Sequence, residues 1–177
     1  MVRAAMVLCL LATLLAGSVP RAAADENPEP VVLAMIPYKD GVLTAFSNCE
    51  GKPGLYRIHF SADGQTPGEG EIVYEGSSPV TAMVEFDGGV LTAFTNCEGK
   101  ADCCRVHFSK DGKKLGEGEV RYEGVSPFTA MTVYKGGVLT AFSNWEGKPG
   151  LNRIHWSKDG TKLGEGEVRF EQQLSGK

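Results

Sequence analysis

The sequence predicts an all-β protein built from three tandem copies of one 48-residue repeat, each copy folding as four short strands. Three observations carry this. Gly41, Gly89 and Gly137 open matching stretches 48 residues apart without insertions, and residues 89–123 and 137–171 agree at 25 of 35 positions. Glycine-rich turn sequences separate runs of β-branched and aromatic residues, which is the signature of hairpins. No stretch sustains the 3.6-residue apolar period of a helix.

The N-terminus reads as a processing signal. Arg3 supplies a positive start, residues 7–16 an apolar run, and Ala22-Ala23-Ala24 a small-residue cleavage site. Residues 1–24 are therefore expected to be a signal peptide, with Asp25 opening the mature chain. The apolar run is too short to span a bilayer comfortably, and no later segment is long and apolar enough. The protein is expected to be secreted, to the cell exterior or a periplasm. A linker over residues 25–28 leads to repeats at 29–76, 77–124 and 125–177, the last including a short tail. Beyond residue 24 the chain holds 16 basic and 22 acidic residues, a net charge of −6. That excludes the basic face that nucleic-acid binding needs.

Within the second repeat the first strand is predicted over residues 80–86. A turn at Asp87-Gly88-Gly89 leads to a second strand over 90–95. The polar loop Asn96-Cys97-Glu98-Gly99-Lys100 leads to a third over 104–109, and Lys110-Asp111-Gly112 turns the chain toward a fourth over 119–123. Each strand position carries one aromatic residue in every copy: Tyr38, Phe86 and Tyr134; Phe46, Phe94 and Phe142; Phe60, Phe108 and Trp156; Tyr74, Tyr122 and Phe170. These are expected in the core. The first two strands are apolar on both faces, whereas the third alternates Val106 and Phe108 with Arg105 and His107. Sheets buried on both faces at one edge and wetter at the other fit radially stacked, propeller-like blades.

The turn between the third and fourth strands reads Ser61-Ala62-Asp63-Gly64, Ser109-Lys110-Asp111-Gly112 and Ser157-Lys158-Asp159-Gly160. It resembles the Asp-box of bacterial neuraminidases, roughly S-x-D-x-G-x-T-W, which also joins the third and fourth strands of a propeller blade. The family's tryptophan is replaced here by Pro67, Leu115 and Leu163. The resemblance implies blades of a sialidase-type β-propeller, with the aspartate holding the turn through backbone bonds and taking no catalytic part. Such propellers have six blades, so three make half a ring, and a homodimer would complete it through an open edge. The alternative fold is a β-trefoil, which also takes three four-stranded repeats of this length and closes as a monomer.

Cys9 leaves with the signal peptide, so Cys49, Cys97, Cys103 and Cys104 remain. An even count in a secreted chain makes them disulfide candidates. Cys97 and Cys103 are close enough in sequence to staple one loop. Cys49 and Cys97 are repeat equivalents and lie in similar places on neighbouring repeats. Cys103-Cys104 lacks metal-ligand spacing, and the third repeat has Trp145 in place of cysteine, so no metal site is expected.

His59, His107 and His155 each follow two residues after Arg57, Arg105 and Arg153, and positions i and i+2 of a strand share a face. Asn48, Asn96 and Asn144, with Glu50, Glu98 and Glu146 two residues on, recur in the preceding loop. A Gly-Glu-Gly-Glu run with Glu69 and Glu71, Glu117 and Glu119, and Glu165 and Glu167 opens each fourth strand. The expectation is one small polar binding site per repeat, built from Asn, Glu, Arg and His. Sugars are the natural ligand, because their hydroxyls suit planar and bidentate partners, with an aromatic such as Trp145 at the edge. Three weak sites gain avidity on a multivalent surface. The other reading is an adhesion or protein-interaction module whose repeated charges are an outward-facing, solvated surface. No catalytic residues and no cofactor are expected. The chain has no nucleophile elbow, zinc-protease or phosphate-loop motif, and a repeated array offers almost no asymmetric site. A glycosidase relationship is the third and weakest reading. The expected partners are glycans or another extracellular protein.

Overall fold

A computed structural model describes residues 27–174. The expected signal peptide, the start of the linker and residues 175–177 lie outside the described residues. Within them the chain forms twelve strands and no α-helix. The first four are β1 (Val31–Tyr38), β2 (Gly41–Ser47), β3 (Tyr56–Ser61) and β4 (Glu71–Gly76). The second repeat gives β5 (Val80–Phe86), β6 (Gly89–Thr95), β7 (Cys104–Ser109) and β8 (Glu119–Gly124). The third gives β9 (Phe128–Tyr134), β10 (Gly137–Phe142), β11 (Leu151–Ser157) and β12 (Glu167–Gln173).

Each repeat makes its own antiparallel four-stranded sheet, with its strands in chain order. A trefoil would need strands of different repeats to close one barrel. No described strand pairs outside its own repeat, so that alternative is set aside. The hairpins follow from local chemistry. Asp87 (φ 49°) and Gly88 (φ 71°), like Lys135 (φ 48°) and Gly136 (φ 73°), are consecutive left-handed residues, the conformation that two-residue hairpin turns require.

Two hydrophobic cores separate the three sheets. Tyr38, Leu43, Ala45, Ile58 and Val73 of the first sheet meet Val80, Met83, Val90, Phe94 and Leu115 of the second. Leu91, Ala93 and Val106 of the second meet Phe128, Val138, Phe142 and Leu163 of the third. The middle sheet is thus buried on both sides. Its strand β6 sends Val90 and Phe94 one way and Leu91 and Ala93 the other, which explains an apolar run without alternation. First strands lie beside first strands, β1 against β5 and β5 against β9. The array is open: among the described residues no further sheet covers the outer face of the first sheet or of the third.

Contacts between sheets repeat. The Leu115 amide donates to the Val73 carbonyl at 2.8 Å, and the Leu163 amide donates to the Arg121 carbonyl at 3.1 Å. The ring of Tyr38 packs on Gly112 so closely that a Cβ there would sit 2.3 Å from it, and Phe86 packs on Gly160 in the same way, at 2.5 Å.

Candidate functional site

The loop after each second strand builds the site. Asn48, Asn96 and Asn144 adopt left-handed backbone, and so do Glu50 (φ 56°), Glu98 (φ 54°) and Glu146 (φ 52°). Asparagine tolerates this region; glutamate does not readily, and a strained residue is retained where surrounding structure holds it. The strain swings the Cys49, Cys97 or Trp145 side chain inward between the two left-handed residues, and all three are buried.

Above that buried residue the first two repeats enclose the same cavity. In the first repeat Pro30, Phe46, Cys49, Glu50, Arg57, His59 and Gly68 line about 280 Å³. In the second repeat Ser78, Phe94, Cys97, Glu98, Arg105, His107 and Gly116 line about 180 Å³, with Tyr74 added from the preceding sheet. Phe46, Cys49, Glu50, Arg57, His59 and Gly68 recur as the same residue types 48 positions on; Ser78 stands at the Pro30 position, and Pro67 and Glu69 line the first cavity alone. Phenylalanine and histidine stand edge to face, 5.7 Å apart in both repeats. Arginine closes the rim. Arg57 reaches Glu50 at 2.8 Å and Glu75 at 2.5 Å. Arg105 reaches Glu98 at 2.6 Å and grips Glu123 with both Nε and Nη2, at 3.0 and 3.2 Å.

The electrostatics follow. The Arg105 guanidinium holds Glu98 below the usual carboxylate range; Glu50 is held there by Lys52 and Arg57. Burial pushes His59, His107 and His155 below their ordinary value, against the opposing pull of the Gly70, Gly118 and Gly166 carbonyls. The histidines are therefore neutral at pH 7. Neutral imidazole, an aromatic wall and a fixed Arg–Glu pair can grip a small ring and hydrogen-bond its edge; they supply no activated nucleophile.

The third repeat differs at one residue. Trp145 stands where Cys49 and Cys97 do, and its indole occupies the corresponding space. The indole lies 4.5 Å from the His155 ring at 34°, 4.8 Å from Phe142, and under the Arg153 guanidinium at 5.5 Å. His155 is consequently buried, whereas His59 and His107 keep partial exposure.

The expected site residues thus divide. Glu, Arg and His of the first two repeats do come together around a cavity. The Arg–His pairs are not an outward-facing solvated surface: the arginine side chains of all three repeats are mostly covered and the histidines form pocket walls. Asn48, Asn96 and Asn144 do not line the cavities; their part is to turn the loop, and Asn144 Oδ1 accepts the Gly150 amide at 2.9 Å. Trp145 fills a site instead of edging one. Of the acids that open the fourth strands, Glu69 borders the first cavity. The arginine partners are Glu75, Glu123 and Glu171, opposite Arg57, Arg105 and Arg153 in the strand register. Sequence reading passed over these. Their constant 18-residue offset from each arginine was the available signal.

The disulfide expectation is corrected: Cys49, Cys97, Cys103 and Cys104 are all free thiols. Cys97 belongs to the core between the first two sheets, with Cys103 packed against the same core, whereas the adjacent Cys104 on β7 belongs to the core between the last two. Cys49 and Cys97 sit in equivalent places of different sheets. Cys97 Sγ instead donates to the Phe94 and Cys103 carbonyls, at 3.7 and 3.4 Å. Burial pushes the Cys97 thiol up to about 12 and the Cys104 thiol to about 11, so neither is a thiolate at neutral pH.

No family model and no curated protein matches the chain. Among solved structures, that of the computationally designed Ika4 protein is similar at 14% identity and a TM-score of 0.43, over 83% of this chain and 75% of that one. A likeness at that level carries no weight for function.

Proposed function

We propose that the protein is a multivalent binding module, secreted by its N-terminal signal, that holds a small ring-shaped ligand, a sugar in the first instance, in its first- and second-repeat cavities. One observation supports this above the others: the same six residue types, Phe, Cys, Glu, Arg, His and Gly, recur 48 apart and line a cavity in both repeats. Each is smaller than the ~300–1,000 Å³ of a drug-sized site, so it suits a single ring. A pyranose would lay its apolar face on Phe46 or Phe94 and turn its hydroxyls to the Arg–Glu pair. The reading is one of binding without chemical conversion. On this view the sheets are propeller-type blades and the Asp-box resemblance is one of turn architecture.

The test is a glycan array probed with the folded protein at several surface densities. Replacing Arg57 or Arg105 by Ala should cut apparent affinity by about 10²-fold at high density, where avidity operates, and far less at low density. A blank from folded protein on every glycan removes the sugar.

A second reading, association with another copy of the chain, is favoured by a different observation. Tyr134 and Phe170 of the third sheet stand exposed, whereas their equivalents Tyr38 and Tyr74 are covered by the following sheet. A second copy would supply that cover.

A further inference from the structure

We infer that the open cavities of the first and second repeats are sites for a planar aromatic ring of indole size, free or carried on a partner's side chain. The third repeat carries such a ring as its own residue. The inference rests on reading the cavities as binding sites, and not on their ligand being a sugar.

The receiving geometry does not depend on the ring being there. Phe142 and His155, with the indole in place, are 5.5 Å apart at 86°. Phe46 and His59 are 5.7 Å apart at 87°, and Phe94 and His107 are 5.7 Å apart at 80°, with cysteine below. A site that keeps its shape empty and filled has little ordering to lose on binding, which favours affinity. The flanking glycine is conserved in role. A Cβ on Gly164 would lie 3.1 Å from the indole Cη2 and 3.0 Å from the Tyr122 ring. A Cβ on Gly116, its counterpart, would lie 3.1 Å from the Tyr74 ring and 3.4 Å from Phe94.

The chemistry of the walls matches the ring. An indole presents two π-faces. His155 takes one, and the Arg153 guanidinium lies over the ring system. With no indole present, Arg57 and Arg105 turn to Glu50 and Glu98. Glu50 also holds Lys52, at 2.7 Å; in the third repeat Glu146 keeps the matching Lys148, at 3.0 Å, while Arg153 lies over the indole. A ring entering the first or second cavity would therefore meet a guanidinium already poised at its mouth. The same exchange of partners is on display in the third repeat.

The test is calorimetric titration of the purified protein with free indole and, in parallel, with a short peptide carrying one tryptophan. The wild type should take up two equivalents of indole per chain. Cys97→Trp, which plugs the second cavity as Trp145 plugs the third, should take up one. Trp145→Cys should take up three; if that variant does not fold, Cys97→Trp still decides. Peptide uptake that also falls by half in Cys97→Trp places the ring on a partner chain, whereas uptake of indole alone makes it a small molecule. No uptake by the wild type, or uptake unchanged in folded Cys97→Trp, overturns the inference. A blank glycan array beside stoichiometric indole binding would sink only the sugar.

Discussion

At the scale of single residues the histidines set the pH response. Each is held neutral by burial, so the folded chain binds fewer protons than the unfolded chain once pH falls below the ordinary histidine value of about 6.5. Stability should be full above that value and decline as pH drops below it toward the lowered folded-state values. Glu50 and Glu98 are shifted downward, so their contribution disappears only at lower pH, in the carboxylate range. Melting temperature measured from pH 7.5 to 5 should therefore fall, and the triple replacement of His59, His107 and His155 by Gln should flatten the slope. A triple variant with the wild-type slope would show that other groups titrate. The Arg–Glu pairs are a different matter. Their glutamates are about half exposed, so the pairs orient the rim more than they stabilise the fold. The Arg–His pairing was legible because strand alternation fixes which residues share a face. The meaning of Trp145 was not: filling a cavity depends on which way a strained loop points its side chain, and no spacing rule reports that.

At the scale of elements the turns between third and fourth strands show how local bonds and packing combine. Asp63, Asp111 and Asp159 each accept, through Oδ1, the amide two residues on, at 2.9, 2.9 and 3.0 Å. The serine two residues before donates to the same oxygen. These bonds fix the turn locally. What the motif did not reveal is that the glycine after the aspartate is also where the preceding sheet docks. Gly64 and Gly112 both have left-handed backbone, at φ 64° and 71°. A Cβ on Gly112 would meet Tyr38 at 2.3 Å, whereas one on Gly64 meets only Val42, at 3.2 Å, because among the described residues no sheet precedes the first. Both Gly→Ala variants should lose about 1–2 kcal/mol to backbone strain. Gly112→Ala should lose about 1–3 kcal/mol more to overpacking. Denaturant titration measures the difference. Equal losses would mean that Tyr38 does not seat on Gly112 in solution. The strands themselves were legible, since glycine turns bound each run of β-branched residues. The bulges were not; the register of β1 on β2 shifts between Val32 and Ala34, and that of β5 on β6 between Val80 and Ala82. Both are one-residue pairing choices to which the hydrophobic pattern is blind.

At the scale of the whole molecule, three sheets bury two interfaces and leave two end faces that the interior shows how to cover. The repeat count and the burial of the middle sheet on both faces were readable from the chain; which residues stand at each end was readable only once the inner interfaces were seen. On the third sheet Tyr134 is 48% exposed against 3% for its counterpart Tyr38, and Phe170 is 46% exposed. On the first sheet the matching surface carries Pro67, exposed, where Leu115 and Leu163 are each 2% exposed. Two chains meeting head to tail at both ends would close six sheets with two copies of one interface. In that arrangement Pro67 would weaken the contact. Leu115 and Leu163 each donate an amide to the sheet before them, but proline has no N–H to offer Arg169, the counterpart of Val73 and Arg121. Pro67→Leu restores a hydrogen bond of about 0.5–1.5 kcal/mol and adds the burial of a leucine side chain. Since about 1.4 kcal/mol is tenfold in an equilibrium constant, the dimer should tighten at least tenfold. Phe170→Glu, which places a charge in the same contact, should shift the protein to monomer. Sedimentation equilibrium across a concentration series reads both. A wild type that stays monomeric at every concentration, with Pro67→Leu no different, would leave the end faces as caps and end the self-association reading.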